Sequence, residues 1–341
     1  MTGVLREVMH GTGPLEPLIS EPGVTDVLVH GPNEVFVDRG RGLEKSTVRF
    51  SDDDAVRRLA QRLASAAGRR LDDASPYVDG RLLDGTRVHA VLSPVSTDGT
   101  CLSLRIPARH RFGLDDLIRR GSIPAVGARL LEAMLEARVA FLVTGGAGTG
   151  KTTVLAALLG LVPASDRIIV VEDSRELAPV HPHVVHLEAR QPNVEGAGEI
   201  TVRSLVRQAL RMRPDRIVVG EVRGSEVLDL LAALNTGHEG GCGTLHANAA
   251  ADVPARVEAL GVAAGLTRPA VHSQLAAAVD VVVHLVRHPS GARMLCEIAG
   301  FERTSDGIVV ARPAIRVRPD GSVLDGPGRR ALEQRLRRGR S

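Results

Sequence analysis

Apolar and polar positions change rhythm near residue 110. Before it, short apolar runs at 24–29 and 34–37 flank Gly31-Pro32-Asn33, a turn signal, and predict two strands. Residues 52–67 carry Val56, Leu59, Ala60 and Leu63 at helical spacing, which predicts a helix with Ser51 as its N-cap. Runs 87–92 and 102–106 predict further strands, so residues 1–106 read as one mixed α+β domain. The stretch 107–113 is polar, contains Pro107 and Gly113, and predicts a linker. From residue 114 to 341, apolar runs recur at 139–144, 168–171, 217–219 and 281–286 with helical segments between them, the alternation of an α/β fold with a parallel sheet. Residues 201–212 align Val202, Leu205, Val206, Ala209 and Leu210 on one helical face, and 225–234 align Val227, Leu228, Leu231 and Leu234, with Gly237 available to end that helix. Residues 294–317 predict a β-hairpin. The arginine-rich tail 329–341 reads as a solvated terminal helix, with contact to anionic lipid or an acidic partner as the alternative.

Composition narrows the picture. At 341 residues the chain suits about two domains. No run approaches the ~20 apolar residues of a membrane span, and the first 15 residues lack the apolar core of a signal peptide, so a cytoplasmic protein is expected. Cys101, Cys242 and Cys296 are scattered, which suggests neither a disulfide framework nor a thiolate zinc site. A net charge of +3, no Trp, one Tyr and five Phe count against a stacking groove for single-stranded nucleic acid.

Chemistry concentrates in three segments. Gly145-Gly146-Ala147-Gly148-Thr149-Gly150-Lys151-Thr152 is a complete phosphate-binding loop, G-x-x-x-x-G-K-[ST], followed by Thr153. An apolar run precedes it and an Ala/Leu-rich helical segment follows. Its glycines let successive N–H groups turn toward phosphate oxygens, and the helix N-terminus adds partial positive charge. The chain has only two lysines, Lys45 and Lys151; a compact ammonium fits between β- and γ-phosphates better than a planar guanidinium. Thr152 is placed to put its hydroxyl on Mg²⁺.

The second segment, Ile217-Val218-Val219-Gly220-Glu221, is an apolar strand ending in a carboxylate. On a strand neighbouring the loop's strand, Glu221 would orient and deprotonate water. Strand 168–171 ends in Glu172 and Asp173, acids able to hold Mg²⁺ through waters, with Glu176 in support. The third segment, 237–248, spaces His238, Cys242 and His246 by four, but its glycines argue against the helix that a metal site at that spacing needs. A loop whose His246 senses the phosphate end fits better. His181, His183 and His186, beside Pro182, read as a strand entry rather than a metal cluster.

A longer string of motifs then carries a family resemblance: Gly13-Pro14-Leu15-Glu16-Pro17-Leu18, Val24-Thr25-Asp26-Val27-Leu28-Val29, Asp84-Gly85-Thr86-Arg87-Val88, Val171-Glu172-Asp173, Asn193-Val194-Glu195-Gly196, the run from Leu210 to Gly224, Asn235-Thr236-Gly237-His238 and Thr244-Leu245-His246-Ala247-Asn248. The chain resembles the type II/type IV secretion ATPase superfamily, specifically the Tad (tight-adherence) pilus, CpaF-like branch. The resemblance implies a RecA-like motor domain joined by a linker to an N-terminal domain, in a homohexamer that hydrolyses ATP with Mg²⁺. It implies docking on an integral inner-membrane platform protein at the cytoplasmic face, with no direct nucleic-acid contact. It assigns Arg87 and Arg105 as phosphate-contacting arginines alongside Lys151, Glu172, Glu221 and His246. Two departures stand out: the matching region starts almost at Met1, where relatives often carry a helical extension, and the tetracysteine zinc subdomain of many type II members is missing. A conjugation-type secretion ATPase, a RecA-like nucleic-acid motor and a non-hydrolysing nucleotide-dependent scaffold are the alternatives.

Overall fold

The computed structural model describes residues 11–107, 112–190, 192, 197–237 and 239–338. Two compact units make up the chain, Met1–His110 and Arg111–Ser341. The middle of the expected linker, 108–111, lies outside the described residues, as do Asn193 to Gly196 and His238.

In the first unit β1 (Asp26–His30), β2 (Glu34–Asp38), β3 (Leu43–Lys45), β4 (Tyr77–Arg81), β5 (Arg87–Val91) and β6 (Cys101–Arg105) form an antiparallel sheet in the order β3-β2-β1-β6-β5-β4. Alternation puts Val27, Val29, Val88, Ala90, Leu102 and Leu104 on one face, where they pack with Val56, Leu59 and Leu63 of the helix Asp53–Ala66. The N-cap of that helix is Asp52 rather than Ser51: its carboxylate accepts from the Ala55 N–H at 2.7 Å, and Ser51 donates to Asp52 instead. Strands β3 and β4 were not predicted. Both are edge strands: β3 is exposed throughout, and β4 buries Val78 alone, which is too little apolar pattern to read.

The second unit holds β7 (Phe141–Thr144), β8 (Ile168–Glu172), β9 (Val184–Glu188), β10 (Arg216–Val222), β11 (Cys242–Leu245), β12 (Val281–Arg287), β13 (Arg293–Arg303), β14 (Val309–Val317) and β15 (Val323–Asp325). They follow the order β15-β14-β13-β12-β7-β11-β10-β8-β9; β12 through β9 run parallel, and β13 to β15 extend the sheet antiparallel. Strands β7 and β8 are buried along their whole length because helices cover both faces. One apolar layer sets Leu131, Leu155 and Leu158 against Phe141, Val143 and Val170; the other sets Leu231 and Leu275 against Leu142, Val171 and Val219. The fold is thus the expected α/β class: the second unit is built on a mainly parallel sheet, and the smaller first unit is α+β.

Two expectations change here. Residues 242–245 form a central strand, not a loop. Gly243 permits it, since a Cβ there would stand 2.8 Å from the Val219 carbonyl oxygen on β10. The arginine-rich tail is not a wholly solvated helix. Helix Arg329–Arg338 buries Leu332 and Leu336, and Arg335 pairs with Asp280 at the start of β12.

Candidate active site

Ligands in open parallel sheets gather at the carboxyl ends of the strands, and the predicted chemistry lies along that edge. Strand β7 ends at Thr144, the glycine loop follows, and the helix Lys151–Leu159 begins at the loop's lysine. Gly148 and Gly150 adopt φ +69° and +91°, a left-handed backbone that side chains resist. Gly145 has φ +149°, and any Cβ there would press into the Leu285 carbonyl oxygen of β12. Arg293 Nε of β13 donates to the Gly148 carbonyl at 2.9 Å, so the β12–β13 pair supports the loop from the side.

Lys151 is 8% exposed. Its ammonium donates to the Gly145 and Gly146 carbonyls at 3.1 and 2.9 Å, and stands 3.3 Å from His246 Nε2. Burial holds its pKa below the usual lysine value, with Glu221 pulling the other way. Thr152 and Thr153 follow, both partly exposed on the first turn of the helix.

Glu221 sits near the end of β10, and β10 is not the loop strand's neighbour. Strand β11 lies between them, and His246 follows directly from its end. The intervening strand places His246 between the lysine and the glutamate: its Nε2 is 2.7 Å from Glu221 Oε1. One ring nitrogen cannot serve both neighbours. Unprotonated, it accepts from Lys151; protonated, it would face Glu221 as an ion pair. The approach to Glu221 is too poorly aligned for a hydrogen bond, which leaves Oε1 buried with no proton directed at it among the described residues. Glu221 Oε2 pairs with Arg223, a residue sequence reasoning quoted within a motif but gave no role. The Glu221 pair is the chief cause that raises the Arg223 pKa, with Asp173 and Glu176 contributing as well. His246 itself titrates below the ordinary histidine value, mainly because it is partly buried and secondly because Lys151 is near.

Glu172 stands at the end of β8 beside Gly220, where a Cβ would collide with its side chain. Its Oε1 accepts from the Glu176 and Leu177 N–H groups at 2.9 and 2.8 Å, and its Oε2 lies 3.9 Å from His186 Nδ1. Glu172 thus shapes the loop that carries Asp173 and Glu176, both exposed. Thr244 Oγ1 donates to the Gly220 carbonyl at 2.6 Å and ties β11 to β10 just before Glu221.

Lys151, His246, Glu221 and Arg223 therefore form one connected group, with Glu172 on the adjoining strand. Arg87 and Arg105 are register partners on β5 and β6 of the first unit, Arg87 lying 3.4 Å from Asp79. His181 and His183 bond the Pro163 carbonyl and Arg167, away from His186, and no metal-binding cluster of His, Cys, Asp and Glu occurs among the described residues. A cavity of about 450 Å³ adjoins the loop, lined by Leu117, Arg120, Thr149, Thr153, Arg293 and Met294 among others.

A glycine loop at the carboxyl edge of a parallel sheet, with a buried lysine and a strand-end glutamate facing it, defines the P-loop nucleotide-binding class. The family described as Type II/IV secretion system protein matches residues 8–320, and the chain belongs to that family. A "Putative conjugal transfer protein" of Mycobacterium tuberculosis is 60% identical over 314 residues, covering 90% of this chain and 89% of that protein. A "Probable conjugal transfer protein TrbB" of Sinorhizobium fredii is 29% identical over 294 residues, covering 85% and 86%. The crystal structure of the pilus retraction motor PilT with bound ADP shares the fold at 23% identity and TM-score 0.61, covering 85% of this chain and 83% of that one.

Proposed function

We propose that the chain is an ATP-hydrolysing motor that works as a homohexamer on a membrane platform of a pilus or secretion machine, at the cytoplasmic face. The observation that carries this reading is Glu221 Oε1, a buried carboxylate oxygen with no proton directed at it, held beside the His246–Lys151 pair. In the proposed reaction the loop N–H groups of 145–150 and Lys151 bind the β- and γ-phosphates, with Thr153 beside the α-phosphate. The adjoining cavity takes the nucleoside. Glu221 Oε1 accepts the proton of the attacking water, and His246 reports the γ-phosphate to Lys151 and Glu221.

Thr152 and Asp173 fit a Mg²⁺ ion, being oxygen donors with water access. Glu172 fits in a supporting place only, since one of its oxygens is taken up by backbone N–H groups. The ion would supply charge neutralisation at the transferred phosphoryl group. Arg87 and Arg105 are the proposed transition-state arginines.

The motif string favours a Tad-type pilus as the machine. A conjugation-type secretion system is the second reading, supported by the descriptions of the Mycobacterium and Sinorhizobium relatives. Steady-state ATP turnover of the parent, Lys151→Ala and Glu221→Ala, each with and without DNA, tests the motor. Turnover unaffected by DNA and lost in both variants is the expected result. Glu221→Ala turning over at the parent rate would sink the assignment, and strong DNA stimulation would move it to a nucleic-acid motor. Co-purification with pilus or conjugation platform proteins separates the two machines.

A further inference from the structure

We propose that Arg293 is a positioning residue: it holds the Gly148 carbonyl at the flank of the phosphate loop and so fixes the direction in which the Thr149 N–H is offered to phosphate. The inference rests on the ATPase reading of that site. Arg293 opens β13, and its register partner across the hairpin is Arg287, the last residue of β12. The hydrogen bond from Arg293 Nε to the Gly148 carbonyl, at 2.9 Å, crosses from this hairpin to the loop. The approach is close: a Cβ at Gly150 would stand 3.4 Å from Arg293 Cδ, and one at Gly148 would stand 3.7 Å from Arg287 Nη1. Elsewhere in this unit Arg138, Arg216 and Arg335 each pair with an aspartate; Arg293 turns its Nε to loop backbone instead.

The carbonyls of Gly145, Gly146 and Gly150 find donors within the loop and its helix. Lys151 serves the first two, Thr149 Oγ1 also donates to Gly146 at 3.0 Å, and the Val154 N–H donates to Gly150 at 2.9 Å. Gly148 takes its donor from another strand. The peptide unit between Gly148 and Thr149 is planar and trans, so its C=O and N–H point opposite ways. Holding the carbonyl toward β13 therefore holds the Thr149 N–H away from β13. Gly148, at φ +69°, has no side chain to restrain that peptide, and the restraint has to come from outside. Arg293 is well rooted to supply it. Leu295, two residues on and on the same strand face, is fully buried in the layer that holds Leu155 and Leu158, and its N–H donates to the Ser122 carbonyl at 2.8 Å. A donor mounted on a braced strand sets the loop before ligand arrives, and binding then spends less on ordering it.

The test is ATP turnover, and its inhibition by ADP and by tripolyphosphate, in the parent, Arg293→Met, Arg293→Lys and Arg287→Met. In Arg293→Met the KM for ATP and both inhibition constants should rise about fivefold to thirtyfold, the scale of one lost charge-assisted hydrogen bond. Its kcat should stay within about threefold, as for a loss of binding shared by ground and transition states. Arg293→Lys should recover part of the affinity, since its ammonium can donate to the same carbonyl. Arg287→Met removes the neighbouring charge and leaves the Gly148 bond in place, so its constants should move by less than about twofold. An equal loss in Arg287→Met would assign the effect to charge alone and overturn the inference. A loss toward ADP but not toward tripolyphosphate, which has no nucleoside, would make Arg293 a nucleoside contact and overturn it too. Unchanged constants in Arg293→Met, or a melting temperature about 5 °C or more below the parent without nucleotide, would do the same, the latter by making the residue structural. A parent without turnover would overturn the ATPase reading itself, whereas an active parent with any of those results would overturn only the role of Arg293.

Discussion

The two edges of the parallel sheet treat buried charge in opposite ways. At the amino edge Arg216 is 1% exposed, yet its guanidinium donates to Asp166 and to the Leu135 and Gly240 carbonyls at 3.3, 2.9 and 3.3 Å. Arg138 donates to both oxygens of the same aspartate at 2.8 Å. Cys242, starting β11 nearby, is a thiol pushed up to about 12 by burial, so it adds no charge. At the carboxyl edge the groups outnumber the bonds that can be made at once: His246 Nε2 faces both a lysine and a carboxylate, and Glu221 Oε1 receives no proton. A satisfied network anchors strands, whereas a partly satisfied one keeps an energetic reserve that a ligand can use.

If that contrast is right, Arg216→Ala is the most damaging change. It empties a fully buried site, leaves Asp166 with Arg138 as its one arginine and takes a donor from the Leu135 and Gly240 carbonyls, and should cost about 3–5 kcal/mol of stability in chemical denaturation. A loss under about 1 kcal/mol would mean the amino edge is not the anchor. Glu221→Gln should reverse the pattern. Turnover should fall by about 10²–10⁴ while the melting temperature holds or rises, because a neutral amide relieves a carboxylate with an unmet oxygen. A clear drop in melting temperature would place Glu221 among the structural residues.

The smallest effect should be pH dependence. His246 and His284 both titrate below the ordinary value of 6.5 in the fold, burial being the first cause for each. As pH falls, the unfolded chain therefore binds protons before the folded one. Stability present above about pH 6.5 is lost as pH drops through the folded values. Thermal melts from about pH 7.5 to about pH 5.5 should show a falling midpoint, less steep in His284→Gln; a rising midpoint would contradict the sign.

Most of the parallel sheet was legible because strands covered on both faces are apolar throughout, as at β7 and β8. Strand β11 was hidden because its central residues are glycine and threonine and its apolar content is low. Asp52 and Ser51 are both competent caps, and only the backbone decides between them. Lys151, Glu221 and His246 were read from motif and strand-end position, but not the strand that separates the first two. His284 went unnoticed inside the run 281–286; a polar residue interrupting an otherwise apolar buried run was the available signal. Arg223 and Arg293 carried no signal of their own in a chain so rich in arginine.

The bonds from Lys151 to its own loop carry a kinetic consequence. The ammonium is satisfied within its own loop by the Gly145 and Gly146 carbonyls. An incoming phosphate therefore replaces bonds instead of adding them, and the net gain is the small difference between two good sets of partners. Capture becomes an exchange, and so does release: when the nucleotide leaves, the loop's own carbonyls stand ready to take the lysine back. A site built this way trades grip for ease of exchange.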